Sequence, residues 1–298
     1  MIFCDGILLI DKTEGPTSFD VVKKIRDTLG KKIKVGHTGT LDPFATGLMI
    51  IMIGQGTKLS PYLMSGIKKY YGTMLLGIET DSFDNTGKIV KETSVGEISL
   101  EHIEKVFGLF KGKIKQKPPA FSAVKKNGVR AYKLAHKGQS IDLEERDIEV
   151  FSFSISDVSL TSISFELVCS AGTYVRSIVS DVGKYLGTGA HLTMLRRLSS
   201  GVFSVDDALS ANISADNIKE AVIGLNDALA WMPGTNIDPN LALRIRNGYQ
   251  PSASELKVDN QVGSFFKVSC AGKLVAIFKG HDTGDKYYEN LTVDRVFM

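Results

Sequence analysis

The chain opens on a short apolar run, "GILLID" (6–11), which predicts one buried strand. The apolar positions then spread out. In "TSFDVVKKIRDTLG", Phe19, Val22, Ile25 and Leu29 recur at helical intervals, Thr17 or Ser18 stands where an N-cap belongs, and Gly30 stands where a helix stops. "KKIKVGHTGTLDPFATG" (31–47) keeps no period and reads as a loop. "LMIIMIG" (48–54) predicts a strand buried on both faces, "QGTKLSPYLMSG" a short helix, and "KKYYGTMLLGIETD" a further strand. A Gly/Asn turn at 84–88 leads into the strand "KIVKET", and "SLEHIEKVFGLFKG" is an amphipathic helix with Ser99 as N-cap. Residues 149–170, "EVFSFSISDVSLTSISFELVCS", alternate apolar and polar and predict antiparallel strands. "TYVRSIVSDVGKYLG" (173–187) places Val175, Ile178, Val179, Val182 and Leu186 on one helical stripe, and "ADNIKEAVIGLNDALAW" (215–231) predicts another helix. "MPGTNIDPN", with two prolines, reads as a linker. From about 240 to 298, short strands such as "GSFFKVSC" and "KLVAIFKG" predict a small β-rich module. Strands mostly meander and helices do not alternate with them, so the fold class is α+β.

Composition adds bounds. A chain of 298 residues has room for about two domains. At 43% hydrophobic and 23% charged residues it can build an ample core. The three cysteines, Cys4, Cys169 and Cys270, lie far apart and form no CxxC pair, which suggests neither a zinc site nor a disulfide framework. The N-terminus lacks a basic n-region, and no apolar run approaches the ~18 residues of a membrane helix. A soluble, cytoplasmic protein is expected. "GTGAH" and "GQGTK" each contain GxG but neither completes a dinucleotide fingerprint, and no GxxxxGK[ST] occurs.

A net charge of +3 does not by itself imply a polyanion partner, so its distribution matters. From Lys105 to Ile141 there is no Asp or Glu, while ten basic residues fall there, Lys125, Lys126 and Arg130 among them. Phe107, Phe110, Phe121 and Tyr132 are interleaved. A solvated lysine-rich face is the ordinary explanation of such a run. Its length and its aromatics favour nucleic acid, with cations on phosphates and rings on bases. "KQKPPAFSAVKKNGVRAY" has the composition of an extended arm.

The candidate chemistry centres on "GHTGTLDPFATG" (36–47), which holds one carboxylate, Asp42. An Asp-Pro turn would account for it. Against that, Gly36, Gly39 and Gly47 permit close approach of a ligand to the backbone, and His37, Thr38 and Thr40 offer hydrogen-bonding tips. A carboxylate on a loop between anchored elements can serve as nucleophile, base or ligand. Metal binding is disfavoured, because only His37 accompanies Asp42 and no HxxxH or HExxH pair occurs. GxSxG is absent as well. Glycosidic hydrolysis would need a second acid, for which Asp81, Asp84 and Asp181 are candidates, each equally explained as a turn or helix-surface residue. Arg176, in "AGTYVRS", falls in the first turn of a predicted helix, where a cation is poorly placed for the dipole. It is either a surface residue or committed to an anion such as a catalytic carboxylate.

"GILLIDKTEGPTS", "GHTGTLDPFATG", "PPAFSAVKKNGVRAY" and "AGTYVRSIVSDVGKYLGTGAHLTMLRRLSSG" resemble, in this order, the signature segments of the TruB family of tRNA pseudouridine synthases, over about residues 5 to 205. The resemblance implies a mixed, mainly antiparallel central sheet flanked by helices over 1–235, with a basic RNA-contacting arm at about 111–138. For 236–298 it implies a PUA-like RNA-binding domain. It implies conversion of uridine 55 in the tRNA T-loop to pseudouridine, without cofactor, metal or guide RNA, by a stand-alone enzyme. On that resemblance Asp42 is the nucleophile, Tyr70 packs on the base, Arg176 pairs with Asp42 and lowers its pKa, and His37, Tyr174 and Leu195 line the nucleotide pocket. Lys125, Lys126 and Arg130 would contact RNA. A monomer is the default expectation. An RNA-folding factor with catalysis secondary, and a glycosidic hydrolase built on Asp42, are the competing readings.

Overall fold

The computed structural model describes residues 5–126, 128–135, 137–139, 142–210, 214–258, 265–280 and 291–298. In chain order the first half holds β1 (Gly6–Lys12), α1 (Ser18–Leu29), β2 (Val35–His37), β3 (Thr46–Ile53), α2 (Ser60–Met64), β4 (Lys68–Leu76), β5 (Ile78–Thr80), β6 (Ile89–Glu92), α3 (Leu100–Leu109) and β7 (Gly112–Gln116). Then come β8 (Lys125–Lys126), β9 (Val129–Arg130), α4 (Ala131–Ala135), β10 (Arg146–Val158), β11 (Ser162–Cys169), α5 (Val175–Tyr185) and β12 (Ala190–Ser200). The last part holds β13 (Phe203–Ser204), β14 (Leu209–Ser210), α6 (Ala215–Ala221), β15 (Ile223–Gly224), β16 (Gly234–Asn236), α7 (Pro239–Arg246), α8 (Ala253–Leu256), β17 (Phe265–Cys270), β18 (Lys273–Gly280) and β19 (Leu291–Val296).

A mixed sheet of eleven strands runs through the larger part in the order β14-β1-β3-β12-β4-β11-β10-β7, with β2, β13 and β15 attached at the side. Its ladders are antiparallel except β1 with β14 and β3 with β12. Period-two alternation divides β1 between the two faces. Leu8 and Ile10 join a core with the apolar stripes of α1, α3 and α5, whereas Ile7 and Leu9 face Leu59, Tyr62, Leu229 and Phe297. The α+β class and the mainly antiparallel central sheet therefore hold. α1 begins with a capping box in which Thr17 and Asp20 each accept from the other's backbone N–H, and Gly30 ends it at φ 104°.

Four strands, in the order β16-β17-β18-β19, make a second sheet. α7 and α8 cover it through Leu241, Ile245 and Leu256. Its last strand docks on the larger part, where the Lys58 ammonium donates to the Val296 carbonyl at 2.8 Å and the Tyr62 hydroxyl donates to Asp294.

Three local expectations are corrected. The helix expected over 215–231 stops at Ala221, because Val222 takes an extended conformation and β15 then pairs with β1. The β-branched pair Val222–Ile223 followed by Gly224 suits that ladder better than a helix. The expected linker is structured: Gly234–Asn236 pairs with β17, and the Asp238 carboxylate caps α7 with Pro239 in its first turn. The strand expected from Lys68 to Asp81 divides at Gly77, whose φ of 86° turns the chain from β4 into β5.

Candidate active site

The backbone of the loop carrying Asp42 is held at several points. The Ser18 hydroxyl, at the start of α1, donates to the Leu41 carbonyl and accepts from the Leu41 N–H, both at 2.8 Å. The Thr38 N–H donates to Ile50 in β3. Lys12, at the end of β1, is fully buried, and its ammonium donates to the carbonyls of Thr13, Pro43 and Ala45, the last at 2.7 Å. Burial pushes the Lys12 ammonium down to about 8, against the pull of the Asp42 and Glu14 charges. The Ala45 N–H returns to the Asp42 carbonyl at 3.1 Å, which closes a turn over Pro43. The Asp-Pro turn is thus present, and it leaves the Asp42 side chain free for another partner.

That partner is Arg176, in the first turn of α5. Its Nε lies 2.9 Å from Asp42 Oδ2 and its Nη2 donates to Asp42 Oδ1 at 3.0 Å, a bidentate pairing. The remaining donors are also committed. Nη1 donates to the Ser82 carbonyl at 2.8 Å and lies 3.3 Å from Asp84 Oδ2, and Nη2 also donates to the Phe121 carbonyl at 3.0 Å. The Arg176 side chain is only 5% exposed, while that of Asp42 is 32% exposed, so the carboxylate can be approached from outside and the guanidinium cannot. Arg176 is therefore no surface residue.

Asp84 is buried, and its Oδ1 accepts from the Ser82 hydroxyl, the Thr86 N–H and the Thr86 hydroxyl. It begins the expected turn and also supplies a second carboxylate to one guanidinium. Burial pushes the Asp42 carboxyl above the usual carboxylate range; Arg176 opposes this, the Asp84 charge adds to it, and Lys12 opposes it more weakly. The expected lowering by Arg176 is real as a contribution but is outweighed by desolvation.

Tyr70, on β4, is buried and pairs in register with Arg197 of β12. Burial raises its phenol above the ordinary value, and the Arg197 charge opposes the shift. His37, on β2, is half-buried, and its Nδ1 accepts from the Gly39 N–H at 3.2 Å. Burial and Arg197 both lower its pKa, which keeps the imidazole neutral at pH 7. Leu195, on β12, is buried in the same core cluster as Tyr70 and Leu41. Tyr174 is the residue preceding α5, with its backbone held in two bonds by the Gln116 amide and its ring 5.3 Å from the Arg146 guanidinium.

The basic segment divides. Lys125, Lys126 and Arg130 lie exposed on the β8–β9 hairpin, and the Lys126 ammonium donates to the Asp142 carbonyl. They do not join the cluster around Asp42; the same segment reaches it through the Phe121 carbonyl. Phe107 and Phe110, expected among the base-stacking rings, are buried, and Phe107 stacks on Phe153 with ring centroids 4.0 Å apart. Phe121 and Tyr132 stay half-buried.

Sequence reasoning missed Lys12, Ser18 and Arg197, and weighed Asp84 as a second acid or a turn residue without placing it on Arg176. Lysine and serine at these positions have ready explanations as a strand end and a cap. Arg197 lies on β12, a strand whose "AHLTMLRRLSS" has no clean alternation.

An ion-paired carboxylate on a clamped loop, reachable from outside, is a group that can act as nucleophile, base or acid. The chain belongs to the TruB family of pseudouridylate synthases: the family's N-terminal domain matches residues 26–175, and the tRNA pseudouridylate synthase B C-terminal domain matches residues 176–228. It is similar to the tRNA pseudouridine synthase B of Geobacter sulfurreducens, 43% identical over 85% of this chain and 84% of that one. The enzyme of the same name from Geotalea uraniireducens is 38% identical over 98% of this chain and 97% of its own. Among solved structures, Cbf5 in a Cbf5-Nop10-Gar1 complex superposes with a TM-score of 0.75 at 24% identity, covering 98% of this chain and 85% of that one, a likeness of fold.

Proposed function

We propose that this protein isomerises uridine 55 in the T-loop of tRNA to pseudouridine, with Asp42 as the nucleophile. The observation that carries the reading is the bidentate Arg176–Asp42 pair, whose carboxylate is reachable from solvent while its partner is not. Isomerisation is redox-neutral. An ionised carboxylate can carry it by adding to the sugar C1′ or the base C6 and later leaving, or by way of a glycal. Arg176 holds Asp42 charged against the desolvation of its site and fixes the direction of attack. Tyr70 offers a buried aromatic face against which the detached uracil can turn before it rejoins the ribose through C5. Neutral His37, Tyr174 and Leu195 line the nucleotide pocket.

The uridine must leave its stack to reach Asp42, at a cost of a few kcal/mol. The exposed Lys125, Lys126 and Arg130 supply phosphate contacts that offset this cost. We assign residues 1–235 to catalysis, with the arm at about 111–138, and residues 236–298 to a PUA-like RNA-binding domain. The enzyme acts alone, as a monomer in the cytoplasm, without guide RNA or cofactor. Assistance to tRNA folding is a secondary activity. The test is incubation with an unmodified tRNA transcript and with one carrying cytidine at position 55. Pseudouridine confined to the T-loop of the first supports the reading, and a modified site elsewhere overturns the assignment of position.

A further inference from the structure

Arg197 is 3% exposed, and no carboxylate is paired with it among the described residues. A buried guanidinium without a counter-ion is costly, and strand pairing at this point could be held by an apolar residue. What the guanidinium touches explains its presence. Its Nε donates to the Leu48 carbonyl at 2.7 Å and its Nη2 to the Gly39 carbonyl at 3.2 Å, so it ties together the two ends of the segment that carries Asp42. On the other side it is the strand neighbour of Tyr70, close enough for its charge to oppose the rise that burial gives the Tyr70 phenol.

The backbone repeats the same connection. β12 lies between β3 and β4, and Arg197 is the register partner of Gly47 on one side and of Tyr70 on the other. The fit at Gly47 is close. Its φ is 101°, and a Cβ there would come within 2.3 Å of the Arg197 carbonyl oxygen. Asp42 and Tyr70 thus sit on separate segments that share one side chain as their common support.

We infer that Arg197 is a positioning residue for the reaction: its guanidinium sets the direction of the Tyr70 phenol and the spacing between Tyr70 and the loop bearing Asp42. Lysine cannot substitute for it. One ammonium cannot reproduce the fixed fork in which the guanidinium meets the Leu48 and Gly39 carbonyls beside Tyr70. The substrate touches Tyr70 and Asp42, and Arg197 acts through them.

This inference rests on the proposed reaction, so the first arm of the test is wild-type protein on an unmodified tRNA transcript; absence of pseudouridine there counts against the reaction itself. The second arm compares Arg197→Lys and Arg197→Gln, in wild-type and Tyr70→Phe backgrounds, by single-turnover rate, tRNA Kd and Tm. Two substitutions are used so that one folded variant suffices, with Tm identifying it. Expected is a rate loss of about tenfold or more in the wild-type background, with Kd within about twofold, and a loss of less than about threefold when Tyr70 is already Phe. Equal losses in both backgrounds would mean that Arg197 does not act through Tyr70. An unchanged rate, with only Tm lowered, would make it a scaffold residue; either result overturns the inference.

Discussion

Arg176 meets Asp42 with two parallel contacts, Nε to Oδ2 at 2.9 Å and Nη2 to Oδ1 at 3.0 Å, across 134 residues of sequence. The pair is asymmetric in exposure as well as in charge. Every Arg176 nitrogen is committed inside the protein, which on the proposed reading makes the arginine a partner of the carboxylate and not of the substrate. The first prediction follows directly. Arg176→Lys retains the charge but loses the fork, and the single-turnover rate falls on the order of 10²-fold while tRNA Kd changes little. A Kd that weakens in step with the rate would instead place Arg176 on the RNA.

Removing the charge altogether has a structural cost. Arg176→Met leaves both Asp42 and Asp84 in a site built for a cation, and stability falls by about 3–5 kcal/mol. Chemical denaturation at neutral pH measures this. Because the Asp42 carboxyl, already raised by burial, then loses the guanidinium that opposes the rise, the loss shrinks as pH is lowered. A loss independent of pH contradicts the assigned network.

The pH–rate profile is expected to be bell-shaped. In the proposed reaction Asp42 acts ionised, and burial raises its carboxyl, so the acid limb falls above the ordinary aspartate value of about 3.9. The alkaline limb falls at about pH 8, where Lys12 loses its proton. Raising the pH through that value weakens the ammonium's hold on the three carbonyls that fix the Asp42 loop and removes a positive charge that favours ionised Asp42. The sign for stability is opposite. The unfolded chain binds the Lys12 proton more tightly, so this group disfavours folding below pH 8 and the penalty fades as pH rises from about 8 toward 10.5. A rate that stays flat from pH 7 to 9.5 contradicts the role given to Lys12.

Lys125 and Lys126 lie exposed on the β8–β9 hairpin. Replacing both with alanine is expected to weaken tRNA binding and to reduce the slope of log Kd against log salt by about 1 for each phosphate left without its cation. The rate on bound tRNA stays within a few fold. An unchanged slope assigns these lysines to solvent.

Much of this centre is legible before any coordinates are drawn, and what is not has a physical reason. Asp42 stands out because glycines and hydroxyls surround it, and Arg176 because a cation opens a helix where the dipole disfavours it. Lys12 gives no such signal, since a lysine at a strand end is normally wet; only folding shows three carbonyls converging on its ammonium. Asp84 is legible as a turn former, and that role is real, but its second oxygen meets Arg176 only because α5 lies across that turn. Arg197 is hidden most deeply. Its bond to the Gly39 carbonyl spans 158 residues, and β12 reaches the middle of the sheet by a crossover that no local period encodes. The overlong helix at 215–231 fails for the opposite reason: the helical period continues past Ala221, while pairing of Ile223 with Ile7 of β1 takes those residues into the sheet.

The central claim is that the Asp42 carboxylate carries the reaction in which uracil turns. The most direct measurement incubates wild type and Asp42→Asn with an unmodified tRNA transcript and maps pseudouridine by reverse-transcriptase stops after carbodiimide labelling. Expected is one stop, in the T-loop, with wild type, and product formation slowed on the order of 10³-fold or more with Asp42→Asn at nearly unchanged tRNA affinity. A stop of equal strength with both proteins would contradict the claim.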